Sequence, residues 1–214
     1  MKNYKILKIE HMAAGTFRLR TERPQVRIKA GQCFNVGVPG SGVNREYSMY
    51  SGADDPYLDF LIREVEGGYV SPALKKLKAG DSVEIDGPYG EFCLHGAVDG
   101  SRRYLFLASG TGIAPFHSFV QTYPELNYTL LHGIRHPQEQ YHAQDYRPGA
   151  YVPCISKNAP DQPSMRVTDY LRQHPADPDA IVYLCGNRNM IIDVFEILRD
   201  QSVPGDNLFT EVFF

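Results

Sequence analysis

Tryptophan is absent from this 214-residue chain, and its four cysteines, Cys33, Cys93, Cys154 and Cys185, lie far apart with no C-x-x-C pair. That spacing excludes a zinc site or a cysteine-ligated iron–sulfur cluster of the usual encoding. Cys33, Cys93 and Cys154 read as small buried apolar residues. Basic excess is missing too: the net charge of -3 argues against a nucleic-acid partner. No apolar run is long enough to span a bilayer. From Met1 the chain passes straight into strand-like alternation with no signal-peptide core. These absences predict a cytoplasmic protein with neither membrane nor nucleic acid as partner. What remains is ordinary globular composition, 43% hydrophobic and 22% charged, with 14 Tyr and 11 Phe, long enough for two modest domains.

The most informative stretch is Arg45-Glu46-Tyr47-Ser48. In an extended segment Arg45 and Tyr47 share one face and Ser48 takes the other. An arginine can fork onto a phosphate, a tyrosine ring can lie against a flat heterocycle, and the serine can bond that ring's edge. Taken alone, the same residues also fit a half-exposed strand of no special function.

Residues 1–99 show short β-like runs at 4–10, 16–21, 32–38, 45–51, 57–65 and 82–86, punctuated by Gly and Pro, as in an antiparallel β-barrel or sandwich. One short helix interrupts them over 71–77, with Ser71 expected as its N-cap and Pro72 at its first position. Before it, Gly67-Gly68-Tyr69-Val70 forms a loop feeding a helix N-terminus, a place that favours an anion. A plain capped turn accounts for Ser71 and Pro72 but not for the paired glycines. After residue 86, Gly87-Pro88-Tyr89-Gly90 reads as a tight turn ending the last strand.

From about residue 100 the pattern changes to near-continuous apolar strands at 104–108, 128–132, 151–155, 181–185 and 208–212, as in a parallel sheet covered on both faces. A helix over 189–199 carries an Ile191, Phe195, Leu198 stripe with Asn187 as its cap. Directly after the first strand comes Ser109-Gly110-Thr111-Gly112-Ile113-Ala114-Pro115. Its glycines permit a tight turn before a helix whose N-terminus favours a phosphate, although Pro115 stands where the dinucleotide fingerprint has its third glycine. The fourth strand ends in Cys185-Gly186, at the carboxyl edge where open α/β sheets bind ligands. Cys185 is placed either at the mouth of that site or as a small buried residue. After the third strand, Ser156-Lys157 and then Arg166 offer a hydroxyl and cations to an anion.

Arg45-x-Tyr47-Ser48, Gly68-x-x-Ser71, Gly110 to Pro115, Cys185-Gly186 and the terminal Glu211-Val212-Phe213-Phe214 follow one another as in the ferredoxin–NADP reductases, and the chain resembles that family over essentially its whole length. The resemblance implies an FAD-binding β-barrel at 1–99 and an NADP(H)-binding α/β domain with a five-stranded parallel sheet at 100–214. By the same resemblance Arg45 binds the flavin pyrophosphate, Tyr47 packs on the isoalloxazine and Ser48 sits near its reactive nitrogen. Leu61, Ile62 and Arg63 join the flavin site, as do Gly68, Tyr69, Val70 and Ser71. Gly110, Thr111, Gly112 and Pro115 form the nicotinamide-dinucleotide loop, with Gly186 and Cys185 beside the nicotinamide. Glu211 is the carboxylate at the active-site edge, Phe213 the aromatic gate over the flavin, and Phe214 a ring against the adenine; alternatively the two phenylalanines only anchor the terminus. The resemblance puts Ser156-Lys157 and Arg166 at the 2′-phosphate, where an acidic residue would bond the ribose of NAD; the family uses Ser-Arg there, so Lys157 loses a bidentate fork, and Tyr141 is a candidate to stack on the adenine. The implied activity is electron transfer between NADPH and ferredoxin or flavodoxin by a monomer. Alternatives are an oxygenase reductase, a flavin or metal reductase, a relay subunit (which often carries cluster cysteines) and a binding module without activity.

Overall fold

A computed structural model describes residues 1–95, 98–159 and 162–213. The chain divides into two units: Met1–Leu94 with Ala114–Thr122, and His95–Ile113 with the chain from Tyr123.

The first unit holds β1 (Lys2–Ala13), β2 (Thr16–Glu22), β3 (Cys33–Gly37), β4 (Asn44–Ser48), β5 (Tyr57–Arg63), the short helix α1 (Val70–Lys75) and β6 (Ser82–Tyr89). The strands form one antiparallel sheet in the order β4-β3-β6-β1-β2-β5. Its two ends meet at a single antiparallel bridge, Met49 to Phe60, reinforced where the Tyr50 N–H donates to the Asp59 carbonyl (2.8 Å). The sheet is thereby a barrel, with Phe17, Leu19, Phe34, Val36, Phe60 and Val83 fully buried. Removing such rings from water is the main stabilisation of a domain this size. On its wall Asp59 accepts a two-pronged bond from Arg20 (2.8 and 2.7 Å), and Arg20 lies 3.5 Å over the Tyr57 ring.

Two expectations fail here. β6 does not stop at residue 86: Asn35 pairs with Asp86 and Cys33 with Tyr89, and the extra residue is absorbed in a bulge, with Gly87 at φ 140°. Ser71 is not a cap: α1 begins at Val70 after Tyr69, which makes no side-chain capping bond. The Ser71 hydroxyl instead accepts from the Val65 N–H (3.0 Å).

Helix α2 (Ala114–Thr122) packs with this unit. Phe119 stacks on Phe92 (6.2 Å) and fills the space beside Gly31, where a Cβ would come within 2.6 Å of the ring. The Thr122 hydroxyl accepts from the Ala53 N–H (2.9 Å).

The second unit contains β7 (Tyr104–Ser109), β8 (Tyr128–Ile134), β9 (Tyr151–Ile155), α3 (Val167–Gln173), β10 (Ile181–Asn187), α4 (Arg188–Asp200) and β11 (Leu208–Phe213). The five strands are parallel in the order β11-β10-β7-β8-β9. Alternate side chains sort to two faces. On one, Leu107, Leu131, Val182 and Leu184 join Val167, Leu171, Ile191, Val194 and Leu198 of α3 and α4. On the other, Phe106, Tyr128, Tyr183 and Phe209 pack as rings. Asn187 caps α4, its side chain accepting from the Asn189 and Met190 N–H groups. The helix stripe differs from expectation: Val194 takes the buried place and Phe195 is 37% exposed. Cys33, Cys154 and Cys185 are buried, whereas Cys93 is only partly so. No described helix is long and apolar enough to cross a membrane.

Candidate functional site

In the barrel, the bridge at Met49–Phe60 is a narrow join. Before Met49, β4 pairs with β3 alone, and beyond Phe60, β5 pairs with β2 alone, among the described residues. Among the described residues no strand ladder joins Arg45–Ser48 to 61–63, so the two stretches can admit a flat ligand between them. Arg45 is exposed, Tyr47 half-buried and Ser48 buried. Burial pushes the Tyr47 phenol up to about 12 against the opposing pull of Arg45, so the ring presents itself as a neutral apolar surface. Leu61 and Ile62 are both buried, on opposite faces of β5, while Arg63 is exposed.

Past the join the chain is held firmly. The Tyr50 ring stacks on His117 of α2 (3.8 Å, 12°), and the His117 Nδ1 lies 2.6 Å from the Tyr50 carbonyl. This clamp on the end of the Arg45–Ser48 strand had no signature in the sequence, because His117 lies 67 residues away.

Arg63 leads into the loop before α1. There Gly67 has φ 71° and a Cβ on Gly68 would come 2.9 Å from the Val65 carbonyl. The turn itself thus accounts for both glycines, which a plain capped turn left unexplained in the sequence. With six residues, α1 is too short to contribute much dipole. What the loop displays is Tyr69, 59% exposed.

In the α/β unit the strand order reverses between β7 and β10, the switch point beyond whose carboxyl ends ligands bind. The turn Gly110–Ile113, a single 3₁₀ turn, sits on that point. Gly110 adopts φ 55° and a Cβ there would touch nothing within 4 Å, so its outer side is open. Gly112 faces the other way: a Cβ would lie 2.4 Å from the Cys185 carbonyl. Gly186 (φ 128°) is equally tight against Ser109, whose hydroxyl accepts from the Asn187 N–H (2.7 Å). Thr111 is half-exposed, while Pro115 is buried in the first turn of α2, where proline costs no hydrogen bond. An open turn with its first N–H groups unused by the helix and locked from beneath fits a pyrophosphate.

Cys185 lies beneath the turn rather than at its mouth. Its side chain is fully buried, and burial, then the neighbouring Glu211, raises the thiol well above its ordinary value. The thiol stays protonated and donates weakly to the Glu211 Oε2 (3.7 Å). The pairing follows from the β10–β11 register, which sets Cys185 opposite Glu211 and Asn187 opposite Phe213. Phe213 is half-buried; Phe214 lies outside the described residues.

At the ends of β8 and β9 the backbone gathers Ser156, Lys157 and Arg166. The Ser156 N–H bonds the Ile134 carbonyl, Lys157 N–H the Arg135 carbonyl (2.8 Å), and Met165 N–H the Ile155 carbonyl (2.8 Å). Arg135, Lys157 and Arg166 are all exposed. Arg135 escaped the sequence reading, though its place just after the second strand was a signal. Tyr141 is only 2% exposed and packs near His132 (ring centroids 5.9 Å), so its ring is not presented to an adenine. His132, fully buried beneath the Gly110 turn, also went unread.

With this geometry in view, similarity to known proteins is informative. Residues 7–93 match the oxidoreductase FAD-binding domain family and residues 106–195 the oxidoreductase NAD-binding domain family. The chain is 32% identical to the toluate 1,2-dioxygenase electron transfer component of Pseudomonas putida over 88% of its own length and 60% of that protein's. It is 26% identical to a ferredoxin–NADP reductase of Azotobacter vinelandii, covering 98% of this chain and 96% of the other. A crystal structure of an Amycolatopsis cytochrome P450 reductase superposes with a TM-score of 0.86 at 27% identity, over 99% of this chain and 70% of that one. The chain spans about three fifths of the length of the two oxygenase reductases it matches, from Pseudomonas putida and Rhodococcus jostii. The barrel stretches that no ladder joins, the open glycine turn at the switch point and these matches together make the chain a flavoprotein oxidoreductase of the ferredoxin–NADP reductase family, with an FAD-binding barrel followed by an NAD(P)-binding α/β domain.

Proposed function

We propose that the chain carries electrons between NADPH and a one-electron protein carrier of the ferredoxin or flavodoxin type. The observation that carries the nucleotide choice is that the backbone at the ends of β8 and β9 brings the exposed Arg135, Lys157 and Arg166 close to Ser156, whose hydroxyl donates to the Ile134 carbonyl (3.2 Å) and can turn to an incoming phosphate. Three cations and a hydroxyl suit a 2′-phosphate, and an NAD site would set a carboxylate there. Bound FAD supplies the capacity to take a hydride and to release its electrons singly. The chain's own residues bind and orient. Arg45 neutralises the flavin pyrophosphate, Tyr47 covers the ring, Ser48 bonds its edge, and the main chain of 61–63 and of Gly68–Ser71 holds the remainder. The turn Gly110–Gly112 takes the nucleotide pyrophosphate. Glu211, kept in place by the Cys185 thiol, delivers a proton beside the reacting rings, and Phe213 yields its place to the nicotinamide.

The test is an anaerobic titration of the FAD-loaded protein, first with NADPH and on a fresh sample with NADH. Bleaching of the flavin at much lower NADPH than NADH supports the proposal. A protein that takes up no FAD overturns it.

The 32% identity to a dioxygenase electron transfer component favours a second reading, an NAD(P)H-dependent reductase component of an oxygenase. Preference for NADH in the same titration decides for it.

A further inference from the structure

The Gly110 turn is held from below by a buried histidine. His132 lies near the carboxyl end of β8 with no exposure to solvent, opposite Ala108 on β7 and Pro153 on β9. Its Nε2 lies 2.8 Å from the Gly110 carbonyl, and its Nδ1 lies 2.9 Å from the Tyr151 hydroxyl. A carbonyl oxygen only accepts, so Nε2 carries the proton. The ring is neutral, burial pushing its pKa down to about 4, so Nδ1 accepts from the Tyr151 O–H. Tyr151 is fixed in turn by stacking on Tyr146 (4.9 Å, 10°), and the ring of Tyr141 flanks His132 at 5.9 Å. The chain Tyr151 to His132 to Gly110 has one direction of donation throughout, and it ends on the first carbonyl of the turn.

We propose that His132 is a positioning residue for nicotinamide-dinucleotide binding: by occupying the Gly110 carbonyl it fixes the peptide planes of the turn so that their N–H groups remain turned outward to the pyrophosphate. Gly110 needs such a hold. Its left-handed φ of 55° and open surroundings leave it free to relax, whereas Gly112 is wedged against the Cys185 main chain. The inference rests on the proposed role of this turn as the nucleotide loop, and it concerns affinity rather than the chemical step.

The experiment compares three substitutions in the full-length, FAD-loaded protein. In His132→Gln the amide nitrogen takes the place of Nε2 and retains the Gly110 bond. In His132→Asn the amide reaches only as far as Nδ1 and cannot. Tyr151→Phe removes the donor that orients the ring. His132→Asn is expected to raise KM for the preferred nucleotide roughly tenfold, the scale of one lost positioning hydrogen bond, with little change in kcat. His132→Gln stays close to the parent KM, and Tyr151→Phe falls between. Separately, ring-nitrogen NMR of the unsubstituted protein near neutral pH is expected to show Nε2 protonated and Nδ1 bare. A parent-like KM in His132→Asn, an equal rise in both His132 variants, or the opposite tautomer overturns the inference while leaving the nucleotide reading standing. If the unsubstituted protein binds neither NADPH nor NADH, the underlying reading falls, and this inference with it.

Discussion

Gly112 lies so close to the main chain of Cys185 that a Cβ would sit 2.4 Å from its carbonyl oxygen and 2.7 Å from the Gly186 Cα. Both neighbours are backbone in a central parallel strand, so neither can give way. Gly112→Ala must therefore lift the turn or bend β10. The expected cost is about 1–3 kcal/mol of stability, typical of overpacking, together with a weakened nucleotide complex. Urea unfolding and flavin-bleaching titrations of the same variant check both.

Stability should fall in mild acid because of His132. Burial holds its pKa at about 4 in the folded chain, against about 6.5 for an ordinary histidine. The unfolded state therefore takes up the proton first. Stability from this group is complete above about pH 6.5, declines as the pH falls, and is fully lost below about pH 4. The total is roughly 3 kcal/mol at 1.36 kcal/mol per unit. Denaturant melts at pH 7 and pH 4.5 should show a smaller drop in His132→Asn than in the parent.

Introducing a carboxylate at the cationic corner should repel a 2′-phosphate. Ser156→Asp is expected to raise KM for NADPH by roughly tenfold or more while leaving NADH within a few-fold, since like charges in contact cost more than 1 kcal/mol when partly desolvated. Steady-state kinetics with both nucleotides read the ratio directly. Equal effects on the two would show that this corner does not touch the phosphate.

Phe213→Ala should strengthen nicotinamide binding. If the ring occupies the nicotinamide's place, its removal spares about 1 kcal/mol of aromatic contact, and difference spectroscopy with NADP⁺ should give a severalfold lower Kd. An unchanged Kd would remove Phe213 from the role of gate.

Much of this architecture was legible in advance because the two domains use different periods. Alternation in 16–21 and 57–65 and continuous apolar runs such as 104–108 announce half-buried and fully buried strands, and β2, β5 and β7 follow them. Local chemistry misled where a tertiary contact competed. Ser71-Pro72 has the form of a cap and first helical residue, but the Val65 N–H claimed the hydroxyl. Phe195 fits an apolar stripe, yet Val194 packs against the sheet. The Gly87-Pro88 pair looked terminal because a bulge leaves no local signature. Most of the glycine-bearing motifs were visible as sequence. The histidines that hold the site, His132 under Gly110 and His117 against Tyr50 at the end of the Arg45–Ser48 strand, were not, because a histidine's partners are set by the fold and not by its neighbours in the chain.

The barrel's closure has a dynamic corollary. Among the described residues, every other junction around the cylinder is a ladder of several paired residues, whereas β4 and β5 meet at the one rung between Met49 and Phe60. A zipper with a single tooth depends on what holds it, here the His117 clamp on Tyr50, so amide exchange at Tyr50 should quicken in His117→Ala. Anything that bridges the two lips acts as a second tooth, and saturation with FAD should slow that exchange in proportion to its affinity. Loading of the cofactor and the breathing of the cylinder are then the same event, seen from the ligand and from the wall.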